Sequence, residues 1–406
     1  MTSPERIGRG AAERARFGDS FTRLVHGAAM NARMTPAHAL AAALLALSVG
    51  GCDGLGQEQP VDAASALAQN RWHDAARALA AELDRDPGNA ELARQRVDAL
   101  LALGDGEGAA AAIRRLGEVK PEVLRDPQWQ WRAAEADIWR GQARQALDDL
   151  SGASGPDAAR LRALALSTLD RYDEAREELI AALAHYPADA RLNADMATRL
   201  IVDGNLPAAR EHVDAALRAD PKSMDARFAG ALLAEAASDL ASARKQLDAI
   251  AADFPDNRTA RLAQARVLLA MRKPEDAARI TAALRESGLG VPALAVLEAR
   301  IAAHQGRWDD VRSTMQASER ELRNDPDAQV LYAAALIKLG QHATAQAILD
   351  RTVARDPDYI PARAQLVELL LQIGQPERAR EAAAPLRALE PPPAPVRELL
   401  ARVDAA

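Results

Sequence analysis

The most constraining feature of the sequence is a spacing that returns. In NRWHDAARALAAELDRDP (70–87) an alanine precedes a proline by twelve residues, and the same spacing closes GQHATAQAILDRTVARDP (340–357). Self-similarity at a fixed period predicts stacked copies of one small unit. Every step between the alanine positions is 34 residues, except two steps of 37 and 29 on either side of Ala146. These anchor positions are Ala75, Ala109, Ala146, Ala175, Ala209, Ala243, Ala277, Val311, Ala345 and Ala379.

Local residue chemistry predicts that each copy is a pair of helices. The chain is 49% apolar but only 3% aromatic, which favours helices over a β-sandwich or barrel. A proline such as Pro87 ends one copy, and a following Asp, Asn or Ser can cap the next helix. Ser238 and Arg272 lie where the pair should turn but tolerate a left-handed conformation poorly, so we expect these two turns to close differently. Residues that suit such a turn are Gly104, Gly141, Gly204, Gly306, Gly340, Gly374, Asn70 and Asp170.

The pattern resembles the tetratricopeptide repeat, an antiparallel helix pair with an Ala, Phe, Ala, Pro series on its second helix. The resemblance spans roughly Ala63 to Pro391. It implies an all-α fold, a right-handed superhelix (α-solenoid) of about ten helix-turn-helix repeats. The aromatic position of the second helix departs from the family pattern, because it is filled by Leu79, Ile113, Leu179, Val213, Leu247 and Leu349.

One irregular copy contains most of the tryptophan. Between Pro121 and Asp157, Trp129, Trp131 and Trp139 are three of the five tryptophans in the chain. Two interpretations are open: the three rings form an exposed docking patch, or they fill the gap where the altered repeat lengths disturb the stacking. The second interpretation is favoured. SGASGP (151–156) is then the shortened exit loop of this copy.

The only cysteine follows an apolar run near the N-terminus. Ala39–Val49 is apolar, and VGGC ends the run at Cys52. This is the layout of a secretory signal, which is too short to span a bilayer permanently. The VGGC ending resembles the lipobox of bacterial lipoproteins, which implies that Cys52 is lipidated and anchors the chain to a membrane. A buried helical cysteine is the alternative, and the choice of start among Met1, Met30 and Met34 stays open.

These features divide the chain into four parts. We expect a disordered extension and lipoprotein signal peptide at 1–51, a lipid-anchored linker at 52–62, the repeat solenoid at 63–391, and a proline-rich spacer with a C-terminal capping helix at 392–406. The predicted location is the cell envelope, facing the periplasm. Asp53 resembles a signal that retains some lipoproteins at the inner membrane, but that rule varies among bacteria, so inner and outer membrane both stay open.

No constellation of catalytic residues is visible in the sequence. The seven histidines have no metal-ligand spacing, and a second cysteine and a glycine-rich phosphate loop are lacking. The net charge of −7 provides no basic footprint for nucleic acid. We therefore expect a protein that is not an enzyme, that has no cofactor or metal, and that binds no nucleic acid.

The family resemblance also implies a groove lined by the first helix of each repeat. Such a groove suits a helical or extended segment of another protein, with apolar anchors in the groove and acidic residues near its arginines. Packing against the adjacent repeat is the alternative for several of the lining residues, above all for Phe228. The predicted lining residues are Arg160, Leu164, Thr198, Ile201, Phe228, Leu232, Leu262, Arg266, Leu269, Val296, Arg300 and Val330.

A narrower resemblance concerns the start of the repeat array. ALAQNRWHDAARALAAELDRDPGN (66–89), followed by the tryptophan-rich copy, resembles the repeat lipoproteins associated with exopolysaccharide and PEP-CTERM sorting systems. It implies a lipid-anchored scaffold in envelope export or assembly. The alternatives are a non-catalytic regulator of a peptidoglycan synthase, or a lipoprotein of pilus or outer-membrane assembly.

Overall fold

The computed structural model describes residues 62–286 and 292–406, and within these two ranges the chain forms helices and turns but no strand. Cys52 and the predicted signal peptide lie outside the described residues. In chain order the α-helices are α1 (Ala63–Ala68), α2 (Trp72–Leu83), α3 (Ala90–Ala102), α4 (Gly106–Val119), α5 (Pro127–Trp139), α6 (Ala143–Asp149), α7 (Pro156–Thr168), α8 (Tyr172–His185), α9 (Ala190–Val202), α10 (Leu206–Ala219), α11 (Met224–Ala236), α12 (Leu240–Asp253), α13 (Arg258–Ala270), α14 (Pro274–Glu286), α15 (Pro292–His304), α16 (Trp308–Ala317), α17 (Glu319–Leu322), α18 (Pro326–Lys338), α19 (His342–Arg355), α20 (Ile360–Gln372), α21 (Pro376–Arg387) and α22 (Ala394–Ala405).

The helices pair as the 34-residue period predicts. Ten helix-turn-helix pairs follow one another from α1–α2 to α20–α21, with the short α17 between α16 and α18 and with α22 after the last pair. All ten anchor residues are buried, each at 1% exposure or less. A residue as small as alanine at this position lets the second helix lie close to its neighbours. The all-helical, solenoid-like repeat fold is therefore confirmed.

Every turn inside a pair contains one residue in the left-handed backbone conformation. The positive φ angles at the predicted glycines, Asn70 and Asp170 lie between 50° and 75°. The expectation that Ser238 and Arg272 close their turns differently is wrong, because their φ angles are 63° and 60°. The Asp239 N–H donates to the Ala234 carbonyl over 2.9 Å, and the matching bond at Gly204 runs from Asn205 to Leu200. The bonds that close the turn thus outweigh the strain of a side chain there.

The loops between pairs supply the helix caps. Asn89, Asp189 and Ser223 each accept a hydrogen bond from the backbone N–H three residues ahead, at the starts of α3, α9 and α11. These bonds satisfy donors that a helix start leaves without an intrahelical partner. The start of α20 differs, since Tyr359 stands at the cap position without a side-chain cap bond.

The irregular repeat lengths have two separate structural causes. An extra 3₁₀ turn, Pro121–Arg125, precedes α5 and accounts for the long step. The short step arises because α6 has only 7 residues, whereas the other second helices have 10 to 14. Trp129 is buried in the core formed by α1–α5, and Trp131 packs against the core of α5–α7. This placement supports the gap-filling interpretation of the tryptophans.

By their contacts the described residues fall into two compact units. The first contains 62–178 and 251–257, and the second contains 179–250, 258–286 and 292–406. In each unit the cores run across pair boundaries: the α1–α5 core of the first unit joins Leu79, Leu116 and Trp129. In the second unit, the last core joins α18–α22 and includes Leu366 of α20 and Val403 of α22. Stacking therefore buries the apolar stripe that a single pair would leave open.

Candidate protein-binding surface

The predicted groove residues all lie on first helices, but only part of them reach the surface. In the first unit Arg160 and Leu164 are half-buried on α7. In the second unit Thr198, Phe228, Arg266, Val296, Arg300 and Val330 are half-buried, on α9, α11, α13, α15, α15 and α18. Phe228 packs against the core of α9–α11, as the alternative interpretation holds.

The prediction is wrong for four of the lining residues, because they are buried. Ile201, Leu232, Leu262 and Leu269 are 2%, 1%, 2% and 6% exposed, and they belong to helix–helix cores. Leu262 stands at the same place in the 34-residue period as the half-buried Val296, so the period alone does not decide exposure, which also depends on how each helix is rotated against its neighbours. These four side chains cannot contact a partner.

A row of apolar side chains remains accessible on neighbouring first helices of the second unit. Val330, Ala334 and Ile337 share one face of α18, at the spacing i, i+4, i+7. Val296 of α15 and Leu371 of α20 occupy the same face one 34-residue period away. All five are half-buried, and the larger ones also pack against the cores beneath them. We call these five residues the apolar strip.

The arginines beside the strip already have partners within the chain. Arg266 Nε donates to Glu235 over 2.5 Å, from α13 to α11. Arg300 of α15 lies 3.5 Å from Asp327 of α18, and Asp327 also accepts a hydrogen bond from the Tyr359 hydroxyl. The expectation that acidic residues of a partner bind these two arginines is therefore not supported. The apolar strip is therefore expected to bind a partner through apolar contacts.

The described residues form neither a metal centre nor a membrane span. Within 62–286 and 292–406, His, Cys, Asp and Glu side chains do not gather in threes around a point that could hold a metal ion. Over the same ranges, none of the helices combines the length and the apolar character that crossing a membrane requires.

Comparison with known proteins identifies the repeat. Two models of the tetratricopeptide repeat match the chain, one at 63–119, 194–261 and 262–326, and the other at 302–362 and 336–403. The chain therefore belongs to the tetratricopeptide-repeat family. The unmatched stretch inside the array, 120–193, contains the irregular pair α5–α6 and the pair α7–α8. Neither model describes a family of enzymes, and tetratricopeptide repeats typically form scaffolds for protein–protein interaction.

Solved structures to which the chain is similar include two that match over most of their own length. A tetratricopeptide repeat protein from Parabacteroides merdae is 16% identical over 61% of this chain and 98% of its own, with a TM-score of 0.43. Yeast Tom70 is 15% identical over 84% of this chain and 93% of its own, with a TM-score of 0.41. None of the curated proteins matches the chain.

Proposed function

We propose that the protein is a lipid-anchored scaffold of the cell envelope that holds a segment of another protein against the apolar strip. The observation that carries the binding surface is the set of five aligned apolar residues beside arginines that are paired internally. A partner segment with apolar side chains at i, i+3 and i+4 matches such a row. Its charged residues would face solvent, because Arg266 and Arg300 already lie against Glu235 and Asp327 within the chain.

The binding proposal is tested by charge placed on the strip. In the full chain, Val330→Glu with Ala334→Glu should reduce capture of membrane proteins, because a carboxylate would have to be buried in the interface. Ala343→Glu with Ala347→Glu is the matched control, since both alanines are exposed on α19. Equal capture by the two double variants, both folded by circular dichroism, would refute a role for the strip.

The location rests on a different observation, the VGGC motif that ends an apolar run at Cys52. Lipidation of this cysteine would supply the membrane anchor, while the negative net charge excludes attraction to anionic lipid. Labelling cells with radioactive palmitate should mark the wild-type chain and leave Cys52→Ser unmarked. An unlabelled wild-type chain would remove the anchor and the periplasmic location from the proposal.

The pathway proposed is export or assembly of exopolysaccharide. It rests on the resemblance of 66–89 and of the tryptophan-rich copy to repeat lipoproteins of such systems. Crosslinking in intact cells followed by mass spectrometry distinguishes it from the alternatives. A polysaccharide-export component whose crosslink is lost in the Val330→Glu, Ala334→Glu variant supports the assignment, whereas a peptidoglycan synthase with the same behaviour overturns it.

A further inference from the structure

The seventh residue of a first helix lies beside a second helix. In three repeats this residue is a polar residue that pairs with a side chain of a flanking second helix, although the Oε1 atom of Gln264 stays buried without a hydrogen-bond partner. Arg162 has such a bond over 2.6 Å, and Glu298 has one over 2.8 Å. The seventh residues and their partners are Arg162 with Glu178, Gln264 with Asp248, and Glu298 with Arg285.

Arg96, the seventh residue of α3, breaks this pattern. Its Nε atom is buried and has no hydrogen-bond partner, and no ion pair joins Arg96 to a carboxylate anywhere in 62–286 or 292–406. The carboxylate that interacts most strongly with the charge of Arg96 is Asp84, at the end of α2. Asp84, however, accepts a hydrogen bond from Arg115 Nη2 of α4 over 2.9 Å. The other carboxylate in range, Asp105, caps α4 through the Gly108 N–H.

The guanidinium groups of Arg96 and Arg115 therefore both lie within electrostatic range of Asp84, but only Arg115 is paired with it. Burial, and then the charge of Arg115, lowers the pKa of the Arg96 guanidinium. Arginine does not relieve such a conflict by losing its proton. A half-buried cation with a like charge as neighbour is a local inconsistency of the kind that marks a binding site.

We propose that Arg96 and Arg115 bind an oxyanion on the second-helix side of this repeat. The guanidinium fork presents parallel N–H donors that suit the paired oxygens of phosphate or of a carboxylate. Arg115 is 45% exposed, so an anion can enter from solvent. Bound there, it would accept from the free donors of Arg96 and balance the second positive charge. This site is independent of the apolar strip, which lies on first helices of the other unit.

The test is a titration of the full chain with inorganic phosphate, and in a second arm with acetate, at constant ionic strength set by sodium chloride. Thermal unfolding and the NMR signals of arginine Nε–H groups report binding. We expect saturable stabilisation and a shift of the Arg96 Nε–H signal. Arg96→Gln should weaken the affinity about tenfold, the worth of one charge-assisted hydrogen bond. Arg114→Gln is the matched control, an exposed arginine of the same repeat, and should bind as wild type does.

Arg115→Gln gives a second, independent variant. It frees Asp84 to accept from Arg96, so anion affinity should again fall about tenfold even though the fold gains an ion pair. Stabilisation by phosphate alone assigns the site to phosphate-type ions, and stabilisation by both anions extends it to carboxylates of a partner. Non-saturable effects, or equal affinities in wild type, Arg96→Gln and Arg114→Gln, would overturn the proposal.

Discussion

The irregular pair α5–α6 and the regular pair α9–α10 solve the same packing problem with different residues. In the regular pair, helices of 13 and 14 residues bury aliphatic side chains such as Leu192 and Val213. In the irregular pair, a second helix of 7 residues leaves more space to fill, and tryptophans of α5 contact the cores on both sides. Side-chain volume thus compensates for missing backbone.

Two loops between successive pairs, one before α9 and one before α7, also differ in the residue that holds them. The loop before α9 is held by a neutral amide, since Asn193 Nδ2 donates to the Pro187 and Asp189 carbonyls over 2.9 and 2.8 Å. The loop before α7 is held by a cation, since Arg162 Nη1 donates to the Ala153 carbonyl over 2.7 Å and to the Leu150 carbonyl over 3.3 Å. In the truncated repeat the longer arginine side chain reaches both carbonyls of the loop.

The largest effect is expected at Trp129. Trp129→Ala removes a ring that is 6% exposed in the α1–α5 core, and we expect a loss of about 3–5 kcal/mol in the free energy of unfolding. Trp131→Ala, on the same helix but half-buried, is the control and should cost less than half as much. Urea unfolding followed by circular dichroism measures both. Equal costs would mean that Trp129 has no special role in filling the irregular repeat.

A smaller effect is expected at Arg162. Arg162→Leu removes the donor of the Ala153 carbonyl and of the Glu178 carboxylate, whereas the Leu150 carbonyl still accepts from the Ala153 N–H. Because Arg162 and Glu178 are about a quarter exposed, solvent screening limits the loss to about 1–3 kcal/mol. Arg171→Leu, which breaks an exposed pair with Glu174, should cost far less, because surface ion pairs contribute little to stability. Hydrogen exchange at 150–155 should rise in Arg162→Leu and stay unchanged in Arg171→Leu.

A still smaller effect on the free energy of unfolding is expected at the turns inside the pairs. Replacing a turn residue by glycine should raise it, and replacing a turn glycine by alanine should lower it. Arg272→Gly and Ser238→Gly should each stabilise the chain by about 0.5–1 kcal/mol, because glycine removes the left-handed strain but adds freedom to the unfolded chain. Gly340→Ala should destabilise by about 1–2 kcal/mol. No atom lies within 4 Å of the added methyl group, so the cost is purely conformational. Thermal unfolding would contradict this account if Arg272→Gly lowered the midpoint.

The turns and the strip also show how far sequence reasoning reaches. The 34-residue period predicted all ten anchor positions correctly. A close contact between helices admits only a small side chain, so the residue type itself marks such a position. Sequence reasoning failed at Ser238 and Arg272, where tertiary packing overrides a local preference of about 1–2 kcal/mol. It failed at Ile201 and Leu232 because exposure depends on how each helix is rotated against its neighbours. The pairing of Arg266 with Glu235 depends on the same geometry. Leu371 was missed, although it stands one period after Ile337.

The smallest expected effect is a dependence on pH that distinguishes Asn193, which holds the loop before α9, from Arg162, which holds the loop before α7. Because Asn193 Nδ2 donates to two carbonyls, its Oδ1 accepts from His212 Nδ1–H over 2.9 Å. Burial lowers the pKa of His212 below its ordinary 6.5, and the charge of Glu211 opposes this only in part. The unfolded chain then takes up a proton more readily than the folded one. His212 therefore contributes its full stability above pH 6.5 and loses it as the pH falls below that value.

Unfolding in urea between pH 7.5 and 5.5 should therefore show a decline that His212→Gln makes shallower. His185→Gln, an exposed histidine of α8, is the control and should keep the wild-type slope. Arg162→Leu should keep that slope as well, because arginine stays charged throughout this range. A slope unchanged in His212→Gln would show that the Asn193–His212 contact of the regular repeat is as insensitive to pH as the Arg162 contacts of the irregular one.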